Sequence, residues 1–303
     1  GIVGESGSGK SVSSLALMGL LNQERTRVSG EAMFGGRNLL SLPQSEMRDI
    51  RGKDLAMIFQ DPFACLHPMY KVGDQIVEAI RVHEKMPKKQ AEERTVELLG
   101  DVGIPNPRQR ARDYPHQYSG GMRQRAMIAM ALALDPAVLI ADEPTTALDV
   151  TVQAQVLDLI ERLQVEFGTA IICITHDLGV VADMADDVLV MYGGKPVEVA
   201  DRRTAYYNPH MPYTWGLLQS LPPVAAEHTG EQLQPIKGQP PSLISLPKGC
   251  SFNPRCPYVM EVCTRVEPEL EPADPAKPSH LSACHLSLED KERIWQQEVA
   301  PTR

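Results

Sequence analysis

No stretch of this 303-residue chain stays apolar for the roughly 20 residues that a membrane-crossing helix requires. The best candidate, Ala126 to Ala141, is interrupted by Asp135-Pro136, so any membrane role must be peripheral. Positive charge is also in deficit, with 30 Lys and Arg against 39 Asp and Glu and a formal charge of -9. That balance is opposite to the footprint of a protein living on nucleic acid, so no nucleic-acid partner is expected. An anionic substrate would need positive charge gathered locally. Cysteine pairs of the Cys-x2-Cys type, internal repeats and low-complexity tracts are missing as well. What is present, 43% hydrophobic and 23% charged residues, is the composition of a globular protein with length for one large or two modest domains.

Proline divides the chain, because 15 of the 25 prolines fall in the last 96 residues. The boundary expected from this lies near Asn208, between domains 1–207 and 208–303. Before it, Leu55 to Phe59, Ala137 to Ala141, Thr169 to Ile174 and Val188 to Met191 read as buried strands with helical patterns between them. That rhythm belongs to a largely parallel α/β sheet. From Pro62 to about Ala133 strand-like runs disappear, and in Lys88 to Val102 the apolar Ala91, Leu98, Leu99 and Val102 share one helical face. A helical subdomain over about 62–133 is therefore expected inside the sheet domain. An amphipathic piece through Leu221, a Pro/Gly-rich linker from Pro222 to Gly249 and a cysteine segment follow.

The strongest signal is Gly4-Glu5-Ser6-Gly7-Ser8-Gly9-Lys10-Ser11, which has the glycines, lysine and serine of a phosphate loop in register. Ile2-Val3 would end the feeding strand and Val12 to Leu21 would form the next helix. Backbone N–H groups freed by the glycines converge on a β-phosphate at a helix N-terminus, Lys10 neutralises β- and γ-oxygens, and Ser11 offers a hydroxyl to Mg2+. The apolar strand Ala137 to Ala141 then ends in Asp142-Glu143. Asp142 is suited to hold Mg2+ through its water shell, and Glu143 to polarise the water that attacks the γ-phosphorus. Gln60 follows the first strand of the series, His176 follows the strand ending at Ile174, and Ser119-Gly120-Gly121-Met122 precedes a helical run. Each of these three is weak alone.

Together, the octet, Gln60, Ser119-Gly120-Gly121, Asp142-Glu143, Ala147-Leu148-Asp149 and His176 resemble an ATP-binding-cassette ATPase over residues 1–207. The fold implied is an α/β P-loop NTPase core sheet with an inserted helical subdomain, followed by a Pro-rich C-terminal extension. The resemblance implies further roles. Gly4, Ser6, Gly7, Ser8, Gly9, Lys10, Ser11 and Val12 would cradle ATP. Ser11, Gln60 and Asp142 would serve Mg2+, Glu143 would be the catalytic base, and His176 would hold the γ-phosphate. Ser119, Gly120, Gly121 and Asp149 would act at the interface with a partner cassette. Met122 stands where the family commonly has glutamine.

Tyr114-Pro115-His116-Gln117, the run Ala141 to Val150 and Asn253-Pro254-Arg255-Cys256-Pro257 narrow the resemblance to the dipeptide and oligopeptide importer ATPases, their D-type subunits above all. Met211-Pro212-Tyr213-Thr214 departs from the usual His-Pro-Tyr-Thr, and Asp61 to Pro68 departs from the family pattern too. The family also carries a leading segment, including an adenine-stacking aromatic residue, so about 35 to 40 further residues are expected upstream of Gly1 on the family pattern. The implied partners are a second, non-identical cassette, two membrane permeases and an extracytoplasmic peptide-binding protein, at the cytoplasmic face of the cell membrane. The alternative is a non-transport cassette ATPase of DNA repair, chromosome organisation or translation, with the tail as an iron–sulfur interaction module.

Cys250, Cys256, Cys263 and Cys284 are separated by five, six and twenty residues. On spacing alone a [4Fe–4S] cluster, a structural zinc ion and unligated or disulfide-paired thiols all remain open. The resemblance adds weight to the cluster, because related importer ATPases carry matching cysteines. Its expected job is structural, as a cross-link for a segment too rich in proline to build a core of its own.

Overall fold

The computed structural model describes residues 1–146, 150–221 and 235–302. Ala147-Leu148-Asp149 and the linker residues 222–234 therefore lie outside the described residues. In chain order the strands are β1 (Ile2–Val3), β2 (Met33–Phe34), β3 (Arg37–Asn38), β4 (Leu55–Ile58), β5 (Val138–Asp142), β6 (Ala170–Thr175), β7 (Asp187–Tyr192), β8 (Lys195–Asp201), β9 (Glu271–Pro272) and β10 (Leu281–Ser282). By packing the chain divides into two units, Ser11–Ile174 and Gly1–Lys10 with Thr175–Arg303. This division differs from the boundary read at Asn208. Among the described residues no helix is long and apolar enough to cross a membrane.

In the unit Ser11–Ile174, β4, β5 and β6 pair in parallel, with Ile58 opposite Ala141 and Asp142 opposite Ile174. Each lies within one residue of an apolar run in the sequence, since strands covered on both faces read as continuous hydrophobic stretches. Between Ile58 and Val138 the ordered elements are helices, the longest being Val72–His83, Lys88–Asp101 and Gly120–Ala131. Ala91, Leu98, Leu99 and Val102 are all buried, as their shared face requires. Helix Lys10–Leu17 stops short of the expected Leu21. Gly19 takes φ +61, its N–H donates to the Ala16 carbonyl, and the Leu20 N–H donates to that of Leu15. That reciprocal pair of bonds is a glycine-closed helix end.

The other unit contains a mixed arrangement. β1 runs parallel to β7, whereas β8 lies antiparallel to β7, β10 to β8 and β9 to β10. Val3, Val188 and Val190 share one core with Trp215, Phe252, Ala283, Ile294, Trp295 and Val299. The rings of Tyr192, Tyr213 and Phe252 meet in tilted or edge-on pairs at 4.5 to 5.4 Å. The tail, expected to be too rich in proline to build a core of its own, shares one with the strands β1 and β7. Its aromatic and aliphatic side chains are buried against strands from the opposite end of the chain, and β10 adds to the edge at β8.

A polar group sits in this core. Glu198 on β8 is fully buried; its Oε1 accepts from the His210 backbone N–H and pairs with His280 Nε2 at 2.8 Å. The two imidazoles stack at 4.1 Å. Burial first, then electrostatic interaction with His280, Lys291 and Lys277, pushes His210 from its ordinary 6.5 down to about 3, with Asp274 opposing. His210 is thus neutral when folded, yet binds a proton near pH 6.5 when unfolded. Its contribution to stability is full above pH 6.5 and is lost as the pH falls toward 3. Urea titrations at pH 7.5 and 5.0 should show destabilisation of up to about 1.4 kcal/mol per pH unit from this group. His210→Leu should flatten that part of the slope.

Candidate functional site

Strand β1 runs directly into Gly4 to Ser11, and helix Lys10–Leu17 starts within the last two of these residues. Gly4, Gly7 and Gly9 take φ of +152, +80 and +100. At Gly4 a Cβ would stand 2.2 Å from the Met191 carbonyl oxygen, so no side chain fits. Lys10 is buried, and its Nζ donates to the carbonyls of Gly4 at 2.7 Å and Glu5 at 3.1 Å. The Ser8 N–H donates to the Glu5 carbonyl, and the Gly194 N–H to that of Ser8. Ser8 Oγ is buried without a hydrogen-bond partner. The loop thus combines an ammonium group, an unsatisfied hydroxyl and a helix N-terminus, the chemistry of an anion cradle. Val12, 57% exposed, is on the outer side of that helix.

Ser11 Oγ donates to Asp142 Oδ1 at 2.9 Å, and Asp142 is buried at the end of β5. Glu143 follows with φ +47, an uncommon conformation for a side-chain-bearing residue. Its N–H donates to the Ile174 carbonyl at 2.8 Å. The parallel register of β4 and β5 puts Gln60 level with Glu143, two residues beyond Ile58 and Ala141 respectively. Gln60 Nε2 donates to Glu143 Oε2 at 3.0 Å, and Thr146 Oγ1 donates to the same oxygen at 2.8 Å. Buried Gln124 supports this turn by donating to the Pro144 carbonyl at 2.6 Å. Neither Thr146 nor Gln124 stood out in the sequence, since a threonine in a turn and a glutamine in a helix carry no signal of their own.

Ser119 caps helix Gly120–Ala131, its Oγ accepting from the Met122 N–H at 3.3 Å, and Ser119 and Gly120 are exposed. His176 is exposed at the bend after β6. Asp149 lies outside the described residues.

In the tail, Cys250, Cys256, Cys263 and Cys284 are free thiols and line one cavity of about 20 Å³ with Phe252, Tyr258, His285 and Leu286 among its other walls. The Cys250 N–H donates to the Cys263 carbonyl at 2.8 Å. Burial pushes the thiol of Cys250 up to about 11 and that of Cys256 to about 12, and raises Cys284 against the pull of Lys291. Among the described residues no group of three or more His, Cys, Asp or Glu is arranged to hold a metal ion. The four-cysteine metal site expected from the sequence is therefore not formed in this structure. Burial chiefly pushes the thiols of Cys65 and Cys173 up to about 11 each.

Residues 1–146 match the family described as ABC transporter, and residues 197–263 match the C-terminal region of oligopeptide/dipeptide transporters. The oligopeptide transport ATP-binding protein OppD of Salmonella typhimurium is 50% identical over 96% of this chain and 84% of its own length. The chain belongs to the oligopeptide/dipeptide transport family of ABC ATPases. Its similarity extends to the dipeptide transport ATP-binding protein DppD of Bacillus subtilis, 53% identical over 88% of this chain and 79% of that protein. Among solved structures, the dimeric ATP-binding cassette MJ0796 bound to ADP and Pi aligns with a TM-score of 0.58 at 26% identity. The alignment covers 67% of this chain and 84% of that one.

Membership in this ABC ATPase family implies ATP and Mg2+, and the residues of the loop fit them. The Ser8 hydroxyl, buried without a hydrogen-bond partner, and the Lys10 ammonium, which donates to the Gly4 and Glu5 carbonyls, are donors of the kind an anion takes, and the Ser11–Asp142 pair is an oxygen set suited to a hard cation. The crowding at residue 4 makes the loop sensitive to a single carbon. Gly4→Ala should abolish ATP binding in a calorimetric titration and cost at least about 2 kcal/mol in denaturant unfolding, by overpacking against backbone that cannot yield.

Proposed function

We propose that this chain is the ATP-hydrolysing subunit of a membrane importer of dipeptides or oligopeptides. The observation that carries the reading is the hydrogen-bonded set Ser11–Asp142 and Gln60–Glu143–Thr146, in a chain about half identical to oligopeptide and dipeptide transport ATP-binding proteins. Residues 1–207 would form the nucleotide-binding domain and 208–303 the extension characteristic of the peptide transporters.

In this reading the backbone of Gly4 to Ser11, with Val12 at the helix start, and Lys10 bind the β- and γ-phosphates. Lys10 would turn from the Gly4 and Glu5 carbonyls to the anion. Ser11, Asp142 and Gln60 would hold Mg2+, which when bound neutralises phosphate oxygens. Glu143 takes a proton from the attacking water, its carboxylate oriented by Gln60 and Thr146. His176 contacts the γ-phosphate, while Ser119, Gly120, Gly121 and Asp149 serve the nucleotide of a second cassette across a dimer interface. The subunit would sit peripherally at the cytoplasmic face of the membrane, paired with a non-identical cassette, docked on two permeases and supplied by an extracytoplasmic peptide-binding protein. In the assembled transporter Glu143→Gln should retain ATP while turnover falls at least about 100-fold. Turnover at the wild-type rate would remove Glu143 from the role of base.

The cysteines are read as ligands of a [4Fe–4S] cluster. All four thiols line one cavity, and their spacing of five, six and twenty residues suits a cluster that takes loop-borne ligands on separate irons. Anaerobically purified protein should contain about four irons and four sulfides per chain with a broad absorption band near 400 nm. Zinc at one per chain without that band would reject the cluster.

A further inference from the structure

Glu5 occupies a place in the phosphate loop where the motif sets no residue type, and a carboxylate there is electrostatically unfavourable for binding a triphosphate. The structure shows how that charge is met. Arg255, from the cysteine segment 250 residues away, grips it with both arms of its guanidinium, Nη1 to Oε2 at 2.6 Å and Nη2 to Oε1 at 3.0 Å. The arginine side chain is 5% exposed and that of Glu5 26%. The remaining donors of Arg255 are engaged too, Nη1 with Tyr192 Oη at 3.3 Å, Nε with the Lys237 carbonyl at 3.1 Å and Nη2 with that of Gly238 at 3.3 Å. The Glu5 backbone N–H donates to Oη of fully buried Tyr213 at 2.8 Å, and its carbonyl accepts from Lys10 Nζ. A single loop residue is thereby tied at its N–H, its carboxylate and its carbonyl, and the last of these ties is to the lysine expected to meet the phosphates.

We infer that Arg255 is a positioning residue for the phosphate loop, neutralising Glu5 and anchoring the loop so that ATP affinity depends on the cysteine segment. The inference rests on the nucleotide reading of Gly4 to Ser11. Bidentate geometry with a nearly buried guanidinium makes the pair rigid as well as attractive. Loss of the arginine has two effects. A carboxylate is left uncompensated near the incoming triphosphate, and the Glu5 peptide loses one of its three ties. Cys256, which directly follows Arg255, lines the cavity, so a shift of backbone there would be passed to the guanidinium. The tail is in this way linked to nucleotide affinity without contacting the nucleotide.

The test is calorimetric titration of MgATP into the intact protein, with thermal unfolding recorded for each variant. Wild type should bind and Lys10→Ala should not, which checks the loop independently of Arg255. Arg255→Met should weaken binding about tenfold or more. Adding Glu5→Gln should bring the dissociation constant back to within about threefold of wild type, because the stranded charge is gone. A purely structural role for Arg255 predicts no such recovery. Arg255→Lys, which keeps the charge and loses the fork, should weaken binding about threefold; it serves also if the methionine variant does not fold. Unchanged affinity in either single variant, or a double variant as weak as Arg255→Met, overturns the proposal while the nucleotide site stands. Absence of ATP binding by wild type overturns the site and this inference together.

Discussion

The close approach of the Met191 carbonyl to residue 4 is the constraint on which the rest of this molecule turns. It admits only glycine at a residue of positive φ where β1 ends, and Lys10 folds back onto the Gly4 and Glu5 carbonyls. That exclusion fixes the residue type at the head of the loop whose lysine folds back onto it. Separately, Ser11 Oγ donates to the carboxylate that ends β5.

The carboxylate end of β5 illustrates how a parallel sheet serves chemistry. Register alone sets Gln60 and Glu143 side by side, so their hydrogen bond needs no loop of special design. What is special is the left-handed backbone of Glu143, a conformation that costs energy in a residue with a side chain and that the surrounding bonds to Ile174, Gln60 and Thr146 maintain. Gln124 reinforces the turn from the neighbouring helix.

Much of this was legible in the sequence, for reasons that differ by element. β4, β5, β6 and β7 announce themselves because both faces are buried and the runs are uniformly apolar. The loop was legible because its chemistry demands fixed spacing, and Asp142-Glu143 because a buried strand seldom ends in paired carboxylates. β8 was not: Pro196 and Glu198 interrupt its pattern, and the residue that makes Glu198 tolerable, His280, lies 82 positions away. The core of the tail was hidden likewise, since Phe252, Ala283, Ile294 and Trp295 follow no period and acquire meaning only against Val3 and Val190. The clamp of Arg255 on Glu5 joins residues 250 apart, and local pattern cannot report such a distance. The four cysteines line one cavity, but their spacing could not tell that no metal-holding group would be formed among the described residues.

The strand Leu281–Ser282 is only two residues long, yet it covers β8 through Val199 and Glu198. Without it those backbone amides and carbonyls would form a bare rim, open to recruitment by any stray extended peptide. Two residues near the end of the chain therefore complete the backbone pairing of a strand about eighty positions earlier.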